Sequence, residues 1–64
     1  MYVIFDTRYG EFVSNDNVLV PMATPYFEEA FRFGSFETAN LYRNEFGDEY
    51  GYYRFVDFVI LQIV

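Results

Sequence analysis

The stretch that most limits the fold is the C-terminal one: from Tyr50 to Val64 the residues alternate as in a strand, and both faces of that strand are apolar. One face carries Tyr52, Arg54, Val56, Phe58 and Ile60, and the other carries Tyr53, Phe55, Asp57, Val59, Leu61 and Ile63. A strand apolar on both sides is normally covered on both sides and is usually central in its sheet. The chain has only 64 residues with which to do the covering, which predicts one domain spanning 1–64. A domain of this size buries only about 60% of the surface its unfolded form exposes. Left open, Phe58 to Val64, with neither proline nor charge, is an aggregation hazard.

The first twenty residues read as short strands separated by turn chemistry. Tyr2–Asp6 is rich in β-branched and aromatic residues, Thr7-Arg8-Tyr9-Gly10 turns the chain, and Glu11-Phe12-Val13 returns as the second arm of a hairpin. Ser14-Asn15-Asp16-Asn17 supplies four residues whose side chains bond their own backbone in turns. Val18-Leu19-Val20 is then a third short strand, stopped by Pro21. Thr24-Pro25 looks like a helix start, with Thr24 as cap and proline at the first helical position. The run to Gly34 is brief, so one helical turn followed by an extended piece is expected there.

Ser35 opens a better helix. Phe36, Ala39, Tyr42 or Arg43, and Phe46 recur at intervals of three to four residues, which leaves Glu37, Asn40, Asn44 and Glu45 mostly outside. Gly47 sits where a left-handed cap would end the helix, and Asp48-Glu49 would continue as polar loop. The predicted fold is therefore α+β: a small antiparallel sheet, made of a β-meander and a long C-terminal strand, packed on one main helix in the order β-β-β-(short helical turn)-α-β. One helix covers one face. The second face is left to the Pro21–Phe33 segment or to another chain, since a large exposed apolar patch is rare on a stable monomer. A homodimer or other homo-oligomer is expected on that ground.

Composition bears on the candidate chemistries. There is no Cys and no His, so neither a disulfide framework nor a histidine-containing metal site is available, and no cofactor or metal is expected. Ten acids against four bases, all arginine, give a net charge of −6. That balance repels phosphates and anionic lipid, so neither direct nucleic-acid binding nor membrane association is expected. Residues 2–5 run into Asp6 with no basic leader segment and the longest apolar run is too short for a bilayer, so a cytoplasmic location is expected.

Nucleophilic catalysis needs an activated nucleophile beside a base, usually histidine. Here Ser14 falls in a turn, Ser35 caps a helix, and no Lys or Cys exists to assist either. The carboxylate pairs Glu28-Glu29 and Asp48-Glu49 read as solvated charge, because adjacent side chains point in different directions. Asn15-Asp16-Asn17 lacks the glycine and distal glutamate of a calcium loop. No catalytic residue is assigned. Asp57 stands out inside an apolar strand and, if covered, requires a donor. Arg54 is too near in sequence, leaving Arg8, Arg32 or Arg43; an exposed Asp guarding a sheet edge is the alternative.

The nine Phe and seven Tyr lack the basic groove that accompanies base-stacking platforms, so they point to core and protein interface. Residues Glu29-Ala30-Phe31-Arg32-Phe33-Gly34-Ser35-Phe36-Glu37-Thr38-Ala39 resemble a recurring pattern of very short proteins from bacteriophages and their hosts. There, an EA-x-x-F-x-S-x-x-x-A stretch joins a hairpin to a helix and a final strand; Ala30, Phe33, Ser35 and Ala39 match it, while the high Phe and Tyr content departs from it. The resemblance implies a phage or mobile-element accessory protein, and inhibitors of host defence, anti-CRISPR proteins included, belong to that class. The implied location is then the host cell cytoplasm.

These readings converge on a protein-binding module without catalysis, a stoichiometric inhibitor of a bacterial host protein. Its expected interface is the strand face carrying Tyr52, Arg54, Val56, Phe58 and Ile60, with an acidic contact surface at Glu37, Glu45, Asp48 and Glu49. Two alternatives stand beside it: a self-assembling structural subunit, and an acidic mimic of nucleic acid built on that acidic row.

Overall fold

The computed structural model describes residues 1–17, 19–20, 22–49 and 57–63. It is an α+β protein in which one helix, α1 (Phe36–Glu49), packs on an antiparallel sheet of four strands. The strands are β1 (Tyr2–Asp6), β2 (Glu11–Val13), β3 (Ala23–Thr24) and β4 (Phe58–Gln62), in the spatial order β3-β2-β1-β4.

The β1–β2 hairpin forms as its turn chemistry predicts. The Asp6 carboxylate accepts the Arg8 N–H at 2.9 Å, the Gly10 N–H reaches the Asp6 carbonyl at 2.9 Å, and Gly10 takes φ +66°, a left-handed conformation that glycine adopts without Cβ strain. Beyond the hairpin, β1 and β2 diverge, and the extended residues Phe31–Phe33 fill the gap. The Phe31 N–H bonds the Val13 carbonyl at 2.9 Å, while Tyr2 and Phe33 exchange both backbone bonds at 2.9 and 2.8 Å. This is the extended piece expected after one helical turn, and that turn is a 3-10 turn at Phe27–Glu29. Thr24 serves the turn from a little further back than a cap: its hydroxyl accepts the Tyr26 N–H at 3.2 Å and donates to the Glu29 carboxylate at 2.8 Å.

Ser35 caps α1, accepting the Thr38 N–H at 3.1 Å, which satisfies one of the orphan donors of the first turn. Ala39 and Tyr42, one turn apart, enter the core with Ile4, Val13, Phe33 and Phe58. The Phe33 ring centre lies 4.8 Å from that of Phe31 and 5.4 Å from that of Tyr42. Each fully buried aliphatic or phenyl side chain contributes about 1.5–3 kcal/mol, and this cluster is the main glue between helix and sheet.

Of the three candidate arginines it is Arg8 that pairs with Asp57, as an ion pair and not as a hydrogen-bond donor: among the described residues Asp57 Oδ2 accepts no hydrogen bond. Arg8 Nε lies 3.4 Å from Asp57 Oδ2 and 3.8 Å from Asp6 Oδ1, so one guanidinium sits between two carboxylates that would otherwise repel across β1 and β4. The Thr7 N–H and hydroxyl both donate to the Asp57 carbonyl at 2.9 Å, fixing the start of β4.

Three sequence expectations are corrected. The third strand is Ala23–Thr24, not Val18–Val20: Leu19 and Val20 lie in a turn, and Val18 lies outside the described residues. Gly47 does not end the helix, which runs on through Asp48 to Glu49. The C-terminal strand stands at one end of the sheet instead of its centre, and is described from Phe58 onward. The expected strand residues Tyr50 to Val56 lie outside the described residues.

The two faces of that strand are covered unequally. Phe58 and Ile60 share the helix face with Ile4, whereas Val59 and Leu61 pair with Phe5 and Val3 on the far face. Over that far face the Pro25–Arg32 stretch supplies partial cover. Phe27 sets its ring 5.6 Å from that of Phe12, edge to face, and the Arg32 guanidinium sits 5.5 Å from the Phe27 ring centre. Val3 is fully buried there, while Leu61 remains 42% exposed.

Candidate protein-binding surface

The loop from Ser14 to Met22 is closed and pinned by its own polar residues. The Ser14 N–H bonds the Met22 carbonyl at 2.9 Å across its base. Within it, Asn17 Oδ1 accepts the Leu19 N–H at 2.9 Å, the Asn17 carbonyl accepts the Val20 N–H at 3.2 Å, and Asn15 Nδ2 donates to the Val20 carbonyl at 2.7 Å. The Tyr42 hydroxyl, from the buried face of α1, donates to Asn15 Oδ1 at 3.3 Å. The turn-forming tetrad thus acts as expected of it, but it wraps the apolar residues that follow into a loop instead of launching them into a strand.

That loop presents Leu19, Val20 and Met22 to solvent, at 72, 60 and 59% exposure. Single exposed apolar side chains are ordinary, but three within four positions of one loop are a concentration of exposed apolar residues. Burying side chains of this kind is worth about 1.5–3 kcal/mol each, a gain the fold leaves unused and a partner can take. The hydrogen bonds among the described residues of the loop lower the entropy lost when it docks. Asp16, exposed within the same loop, adds a negative charge to it.

The interface expected on β4 is arranged differently. Phe58 is only 4% exposed and belongs to the core, and Ile60 packs against that core, so these two are spent on the helix and give no open surface. Tyr52, Arg54 and Val56 lie outside the described residues. At Phe58 and Ile60 that face is the one the helix covers. Of the expected acidic row, all four residues belong to α1, with Glu37 and Glu45 exposed. These two are eight residues apart, which is roughly 12 Å of rise and about 80° of rotation along the helix.

Leu19, Val20 and Met22 were not among the sequence candidates, although a signal existed. An apolar run that follows four consecutive turn formers and is cut at once by Pro21 has no room to pair as a strand of useful length. Among the described residues no group of three or more acidic, histidine or cysteine side chains is placed to hold a metal ion, and no helix is long and apolar enough to cross a membrane. No protein-family model, curated protein or solved structure matches the chain.

Proposed function

We propose that the chain is a protein-binding module without catalytic activity, and that it engages its partner through Leu19, Val20 and Met22 of the Ser14–Met22 loop. The observation that carries this reading is the conjunction of high exposure at those three side chains with hydrogen bonds from Asn15 and Asn17 to the backbone of Leu19 and Val20. A surface of this kind fits an apolar pocket, and the acidity of the chain, −6 overall, favours a pocket with a basic rim. The narrower reading, a stoichiometric inhibitor of a bacterial host protein acting in the host cytoplasm, rests on the resemblance at Glu29–Ala39.

The test is a titration of the captured partner with the wild-type chain and with the double variant Leu19→Asp, Met22→Asp. Both substitutions fall on exposed side chains, where stability changes stay within about 0.5 kcal/mol. The expected result is saturable one-to-one binding that the double variant loses while its circular dichroism is unchanged. A partner bound equally well by the folded variant would contradict the reading.

A further inference from the structure

The register of β4 on β1 determines where its backbone groups point. The Thr7 N–H bonds the Asp57 carbonyl and the Ile63 N–H bonds the Met1 carbonyl, so the odd-numbered residues of β4 make the hydrogen bonds to β1. The N–H and C=O groups of Phe58, Ile60 and Gln62 therefore project outward from the sheet. The Phe58 carbonyl accepts Arg43 Nη1 at 3.2 Å. Among the described residues no strand lies beyond Ile60 and Gln62.

Sheet edges are normally protected by proline, charge, a bulge or shortness. From Phe58 to Ile63 this edge has neither proline nor charge, and β4 is five residues long. We propose that this edge is completed by β4 of a second copy, antiparallel, about a two-fold axis through Leu61. In that register Ile60 pairs with Gln62 of the other copy and Gln62 with Ile60, using the N–H and C=O of both residues in each strand and leaving the Arg43 contact to Phe58 intact. Leu61 then faces its own counterpart at a non-hydrogen-bonded pair, where side chains approach most closely. Val59 lies opposite Ile63, so the far-face contacts are aliphatic throughout. Uncharged, self-complementary residues let two strongly acidic chains meet without opposing like charges at the join.

The dimer forms one sheet of eight strands with the two Leu19–Met22 loops at its far ends, about 30 Å apart at the usual strand spacing. Such a dimer presents two partner-binding loops at once and gains avidity against a repeated or dimeric partner. The edge and the loop are separate surfaces, so either reading can fail alone.

Sedimentation over a concentration series tests the pairing, with two sets of variants. Wild type is expected to show a monomer–dimer equilibrium. Gln62→Pro removes one outward N–H from each copy and none that bonds β1, and is expected to weaken the dimer roughly tenfold or more while the chain stays folded. The chain has no native cysteine, so Leu61→Cys should cross-link to its own counterpart under mild oxidation, and Val59→Cys, facing Ile63, should not. A chain that stays monomeric at every concentration, a dimer indifferent to Gln62→Pro, or cross-linking at Val59→Cys in place of Leu61→Cys would each overturn the proposal.

Discussion

At one end of the sheet, β3 is two residues long, and its one outward-facing residue, Ala23, has Pro21 and Pro25 two positions to either side. Neither proline has an N–H to offer a neighbouring strand. At the other end, β4 runs for five residues with no proline and no charge and turns Ile60 and Gln62 outward. Among the described residues the same small sheet therefore has one closed edge, and at Ile60 and Gln62 an open one. The difference lies in backbone donors, not in hydrophobicity, since Val20 and Met22 beside the closed edge are as apolar as anything on β4. Apolar content shows where surface must be covered, and proline placement shows which edge is barred to a strand.

β4 has two separable duties: the Phe58 and Ile60 side chains feed the core, while the backbone groups of the even-numbered residues face outward. The largest effect is expected from Phe58→Ala, which empties a core position that is 4% exposed and should lower unfolding stability by about 3–5 kcal/mol in a denaturant titration. This change acts on the fold of each copy; a loss confined to dimerisation would mean that Phe58 serves the edge and not the core. A smaller effect, about 1–2 kcal/mol, is expected from Arg8→Ala, which leaves the Asp6 and Asp57 carboxylates facing one another without their shared cation across the start of β4. An unchanged midpoint would show that the ion pair does not anchor the open edge. The smallest change in monomer stability belongs to Gln62→Pro, whose exposed side chain and outward N–H take no part in the β1 ladder.

Much of this architecture is legible in the residues because local chemistry and packing agree there. The Asp6 to Gly10 turn, the Ser35 cap, the brief turn before Phe31 and the need of Asp57 for an arginine all follow from side chains acting within reach of their own backbone or from an ion that cannot be buried alone. What was not legible depends on which of two apolar surfaces wins a shared neighbour. The two-sided strand was read as central, but Phe58 and Ile60 take the helix while Phe27 covers only part of the other side. Gly47 carried a stop signal that helix continuation overrode. The exposed loop residues were missed because Val18 to Val20 has strand composition, and only the Asn15 and Asn17 side-chain bonds reveal why Leu19 and Val20 turn outward.

Amide hydrogen exchange along β4 tests the open-edge account most directly. In dilute solution the N–H groups of Val59, Leu61 and Ile63, bonded to β1, should be protected, and those of Ile60 and Gln62 should exchange quickly. Raising the protein concentration should slow exchange at Ile60 and Gln62. Protection at those two amides that is already complete in the monomer, or that never responds to concentration, would contradict an edge completed by a second copy.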